Sequence, residues 1–122
     1  MNSIFEDYHN ALTRLEEILS IFKTDITRDS AIKRFELCFD LAWKLMKHRA
    51  RYEGIECNSP RACIKAGFQI GMIDEDVAWL DMIEDRNKSV HVYDEQLAEE
   101  VYHTLSDHLI QFQKLFQKIK NT

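Results

Sequence analysis

Ala31-Ile32-Lys33-Arg34-Phe35-Glu36-Leu37-Cys38-Phe39-Asp40-Leu41-Ala42-Trp43-Lys44-Leu45-Met46 decides the fold class of this 122-residue chain. Ile32, Phe35, Phe39, Ala42 and Met46 recur at the three- and four-residue spacing of one helical face. Cys38, Trp43 and Leu45 widen that stripe. A helix apolar over so much of its circumference is packed on two sides, so it belongs at the centre of a helical assembly. Gly54 supplies a stop, and the reading is a helix from about residue 29 to 53. Cys38, on the apolar side, reads as a core residue and not as a nucleophile. Glu36, Asp40 and Lys44 follow at i, i+4 and i+8, and Asp40 with Lys44 is a surface pair by that spacing.

Working outward, the preceding segment opens on Ser3-Ile-Phe-Glu6, a capping-box pattern. Phe5, Leu12, Leu15, Leu19 and Phe22 then predict a helix from about residue 4 to 23. Thr24 to Asp29 reads as a polar turn, with Thr27 or Asp29 capping the central helix. After it, Ser59-Pro60 places a serine cap before a proline in the first helical position, and Gly71 ends a short helix over about 60–69. Asp74 can cap a fourth helix carrying Val77, Trp79, Leu80, Met82 and Ile83. Asp94 can cap a fifth, whose Leu97, Val101, Leu105, Phe112, Phe116 and Ile119 run almost to the end. The short connection makes these last two an antiparallel hairpin. No strand-like alternation occurs. The expectation is an all-α, up-and-down antiparallel bundle of four long helices and one short one, forming a single domain over 1–122.

Composition bounds the function. Three Gly and one Pro suit one compact helical domain. No apolar run approaches the roughly 20 residues of a membrane span. The first residues lack the basic-then-apolar pattern of a secretion signal. Cys38, Cys57 and Cys63 are odd in number without C-x-x-C spacing, which fits reduced thiols in a cytoplasmic protein. A net charge of −5 excludes a general nucleic-acid coat but not a local basic patch.

The chemistry concentrates in Arg86-Asn-Lys-Ser-Val-His-Val-Tyr93. Arg86 is a permanent cation whose planar fork fits a phosphate. His91 exchanges protons near neutral pH, while Asn87 and Tyr93 add an amide and a hydroxyl. Arginine with histidine is a minimal kit for cleaving a phosphodiester without a metal. On an ideal helix Arg86 continues the stripe of Trp79, Met82 and Ile83, so its charge must be paired or aimed into a cleft. His91 lies well off that direction. For both to face one phosphate, the helix must break near Ser89 or a second subunit must supply one of the pair. In the plainer alternative, Arg86 pairs with Glu84 or Asp85 and His91 caps a helix end. A second basic set, Lys44, Lys47 and Arg51 beside His48, shares one face; it complements the helix dipole or forms a phosphate-facing patch. His103 and His108 are five apart and no HExxH occurs, so neither metal nor cofactor is expected.

Arg34-Phe35-Glu36-Leu37-Cys38-Phe39-Asp40-Leu41-Ala42-Trp43-Lys44, Ser59-Pro60-Arg61, Trp79-Leu80, and Arg86-Asn87 through His91-Val92-Tyr93-Asp94 occur in that order. Together they resemble the prokaryotic branch of the HEPN family paired with MNT-type minimal nucleotidyltransferases. The Arg-x4-His-x-Tyr arrangement is that family's signature. Val92 stands where a small polar residue is expected. The resemblance implies a homodimeric helical bundle that brings two motifs into a shared cleft. It also implies a metal-independent endoribonuclease acting as a toxin on RNA, and a nucleotidyltransferase antitoxin that AMPylates it. Arg86 and His91 would be catalytic, Asn87 a polar helper and Tyr93 the modified residue. Two other readings stand beside this one: a non-catalytic substrate- or nucleotide-binding subunit of a two-component nucleotidyltransferase, and a structural helical adaptor.

Overall fold

A computed structural model describes residues 3–121. Helix α1 spans Ile4–Leu19, α2 Asp25–Tyr52, α3 Pro60–Gln69, α4 Val77–Lys88 and α5 Glu95–Lys120, with a single 3-10 turn, Ser89–His91, between α4 and α5. Among the described residues there is no strand. No helix among the described residues is long and apolar enough to cross a membrane.

The caps set the boundaries. Ser3 accepts from the Glu6 amide, Ser59 from Ala62, and Asp94 from Gln96 and Leu97, each satisfying amides that a helix start leaves unpaired. The centre begins earlier than the sequence suggested. Thr24 is its N-cap and forms a reciprocal capping box with Thr27, so residues 25–28 are helical and not a turn. The first helix is correspondingly shorter. The Ser20 hydroxyl bonds back to the Glu17 carbonyl, and Phe22 lies outside the helix at 86% exposure. Tyr8, Ala11 and Ile18 complete the buried stripe with Leu12 and Leu15. Asp76, not Asp74, precedes α4, and it makes no side-chain cap.

Side-chain pairs give the directions. Phe5 stacks on Phe116 and Tyr8 meets Phe112, so α1 and α5 are antiparallel. Trp79 meets Phe112 while Asp85 meets His108, so α4 and α5 are antiparallel as well. Arg28 reaches Glu95 and Phe35 reaches His108, so α2 and α5 run parallel. The up-and-down arrangement follows. Phe35, Phe39, Trp79 and Phe112 fill the centre, and the Tyr8 hydroxyl donates to the Phe112 carbonyl at 2.7 Å. Gly67 lets α3 close on α2, since a Cβ there would fall 2.8 Å from the Met46 sulfur.

The reading of the cysteines is corrected as well. The connector before α3 folds Cys57 back against Cys63, with Cα atoms 5.1 Å apart, and the structure joins them in a disulfide. The absence of a C-x-x-C motif hid a pairing that the turn at Ser59-Pro60 creates. Cys38 remains a buried free thiol, pushed up to about 12 chiefly by burial.

Candidate functional site

Helix α4 ends within the Arg86–Tyr93 stretch. It closes at Lys88, and the next three residues tighten into a 3-10 turn with about 120° of rotation per residue instead of 100°. Val90 and Tyr93 lie off the apolar stripe, at 61% and 75% exposure. His91 is exposed as well. Its Nδ1 lies 2.9 Å from the Tyr93 hydroxyl, with the two rings stacked at 5.6 Å between centroids. The His91 carbonyl accepts from the Asp94 amide, tying this pair to the start of α5.

Arg86 is placed differently. It pairs with neither Glu84 nor Asp85 but with two acids of the central helix. Its Nη1 donates to Glu36 Oε2 at 2.9 Å, and its Nε and Nη2 donate to the two oxygens of Asp40 at 3.2 Å each. Nη1 also lies 3.4 Å from the Ser89 hydroxyl, which itself sits 2.6 Å from Glu36 Oε2. Asp40 is thus taken by Arg86 and not by Lys44. The paired guanidinium is held above its ordinary pKa, chiefly by the Asp40 hydrogen bond. A guanidinium has five N–H donors, and these contacts engage four, leaving one Nη2 hydrogen for any ligand. Asp85 instead faces the other way, 2.6 Å from His108 Nε2, as a helical step of about 100° per residue requires.

Arg86 therefore lies in a part-buried carboxylate clamp, and His91 with Tyr93 forms a separate exposed pair at the turn. No hydrogen bond joins Arg86 to His91 among the described residues. Asn87 is exposed on α4, and its side chain makes no hydrogen bond to a described residue. Lys44, Lys47 and Arg51 lie about 6, 10 and 16 Å beyond Asp40 along the α2 axis. Because α4 runs antiparallel to α2, His91 lies on the opposite side of Arg86 from this basic set. The cations beside Arg86 are others. An open groove of about 760 Å³ between α1 and α2 is lined by Arg14, Lys33, Arg34 and Arg86 together with the acids Asp7, Glu36 and Asp40.

Sequence reasoning missed Glu36, Ser89 and Asp40 as partners of Arg86. The signal was present: two acids at i and i+4 on a helix apolar nearly all round need a cation from another element. It also missed Arg28, which is 1% exposed. Arg28 bonds Asp29, Glu95 and Glu99 at 2.9–3.1 Å and fastens the start of α2 to the start of α5, two residues past Tyr93.

Residues 3–121 match the family described as nucleotidyltransferase substrate binding protein like. The chain belongs to that family. A probable ribonuclease HepT from Haemophilus influenzae is 26% identical over 95 residues, covering 74% of this chain and 65% of that protein's length. A solved structure from Thermus thermophilus is 30% identical, with a TM-score of 0.84 over 91% of this chain and 97% of its own. Two others share the fold. One is a Haemophilus influenzae protein described as a substrate binding domain of a nucleotidyltransferase, 21% identical with a TM-score of 0.85, covering 95% of this chain and 98% of its own. The other is the tri-AMPylated Shewanella oneidensis HEPN toxin in complex with MNT antitoxin, 22% identical with a TM-score of 0.81 over the whole of both chains. The all-α fold is accordingly HEPN-like, in a family linked to nucleotidyltransferases.

Proposed function

We propose that this chain is the toxin of a HEPN/MNT pair, a metal-independent endoribonuclease whose partner nucleotidyltransferase silences it by AMPylating Tyr93. The observation that carries the reading is the exposed His91–Tyr93 pair, presented at the break directly after the Arg86 helix. His91 carries the proton, Arg86 meets the charge developing on the phosphate, and Asn87 is a polar helper. A homodimer brings two such motifs into one cleft, which supplies the second arginine or histidine that one chain holds apart. Arg14, Lys33 and Arg34 join Lys44, Lys47 and Arg51 as candidate RNA contacts.

One observation favours a second reading. Two carboxylates already neutralise Arg86, and one donor remains free, which suits a non-catalytic subunit that presents a nucleotide or substrate to its nucleotidyltransferase. The test is RNA cleavage in excess chelator by wild type and His91→Ala, each first checked by intact mass for AMP. Cleavage by unmodified wild type alone supports the nuclease. No cleavage by either unmodified protein refutes it for the RNAs tested and leaves the binding subunit.

A further inference from the structure

The geometry points to His91 as the base that activates Tyr93: its Nδ1 takes the proton from the Tyr93 hydroxyl as that oxygen attacks a phosphorus electrophile. A nucleophile and base within hydrogen-bond reach form the minimal unit of such chemistry. Here they lie 2.9 Å apart, their rings stacked, and the tyrosine is 75% exposed to an incoming reagent. The other ring nitrogen of His91 has no hydrogen-bond partner among the described residues, so the proton received at Nδ1 has an exit to water through Nε2.

The step balances without a further reagent. With a nucleoside triphosphate, the physiological donor under the reading above, the Tyr93 oxygen bonds to the α-phosphorus. The bond to the β-phosphate oxygen breaks and pyrophosphate leaves. The proton goes to His91. The same pair then explains how modification acts on the site. The esterified oxygen no longer has a hydrogen to donate to Nδ1, and an anionic phosphoryl group occupies the space in front of the ring. One histidine thus serves the transfer that disables it.

Tyr52 provides an internal reference, being 87% exposed, with its hydroxyl bonded to no described residue. The probe is diisopropyl fluorophosphate, which needs no partner enzyme: tyrosine oxygen bonds phosphorus, fluoride leaves and the base takes the proton. Labelling rates at each tyrosine are read by peptide mass. Tyr93 is expected to label at least about tenfold faster than Tyr52, a modest share of the gain general bases provide. His91→Ala brings Tyr93 to within about twofold of Tyr52. His91→Asn does the same, because its amide can hold the hydroxyl but cannot accept its proton. Equal labelling of the two tyrosines in wild type overturns the proposal, and so does a Tyr93 preference that survives His91→Ala or His91→Asn. The proposal stands apart from the AMPylation reading in this assay. His91-dependent labelling, combined with a partner and ATP that place AMP elsewhere, would support the pair's chemistry while refuting Tyr93 as the modified site.

Discussion

Replacing Arg86 removes more than a phosphate ligand. Glu36 is 7% exposed, and Arg86→Met leaves its carboxylate with only Ser89 and the exposed Lys33. Breaking a buried pair from one side costs about 3–5 kcal/mol. The Arg86 side chain is 27% exposed and Lys33 remains, so the lower end, about 3 kcal/mol, applies here. At roughly 4 °C per kcal/mol for a chain of this size, Tm falls by about 12 °C. Glu36→Met leaves Arg86 on Asp40 and costs about 1–2 kcal/mol. The double substitution removes both charges together and costs about 2 kcal/mol, well below the sum of the singles. Urea unfolding followed by far-UV circular dichroism measures all three. An Arg86→Met cost under about 0.5 kcal/mol, or strict additivity, would falsify the clamp. The prediction bears directly on function, because RNA cleavage lost with Arg86 confounds chemistry with folding, whereas exposed His91 does not.

Other consequences follow from the same contacts. Asp40→Asn keeps an acceptor but removes one of the two charges on Arg86. In a His91→Ala background it is expected to tighten RNA binding by about fivefold, roughly 1 kcal/mol, read by fluorescence anisotropy; unchanged affinity places the RNA phosphate away from Arg86. Arg28 holds the Glu95 carboxyl below the usual range, while Lys23 and then Arg28 do so for Glu99. A depressed carboxyl stabilises the fold above its unfolded value of about 4.3, and that contribution is lost as pH falls through the folded value. Tm therefore drops below about pH 4.3, and Arg28→Met gives a lower but flatter acid limb; an unchanged slope refutes the assignment. Thiol alkylation without reductant is expected to find no reactive cysteine in the folded chain and one, Cys38, in urea; three in urea would show Cys57 and Cys63 to be unpaired.

How far the sequence could be read depended on the range of the interaction involved. Local rules succeeded where one residue type settles an end. Ser59-Pro60 with Gly71 placed α3 at its observed bounds, and Asp94 capped α5 as expected. They failed where several residues compete for one role. Thr24, Thr27 and Asp29 can each cap a helix; Thr24 prevails in a reciprocal capping box with Thr27, and the helix it starts holds Arg28 on Glu95 and Glu99, acids 67 and 71 positions later. The conflict between the Arg86 and His91 directions on an unbroken helix was legible, and it left open a break near Ser89 or a second subunit; the break is there, but it leaves the two residues on separate partners. Which partner relieves the buried arginine was not legible, since Glu36 and Asp40 are 50 and 46 residues away and helical spacing offered Lys44 as a nearer mate for Asp40. The same non-local contact shapes the candidate site. Ser89 is both the residue at which α4 tightens and a hydrogen-bond partner of Glu36 and Arg86, so the clamp that fixes the arginine also anchors the turn that exposes His91 and Tyr93. Weakening the clamp should therefore disturb the pair at the turn, even though no hydrogen bond joins the two.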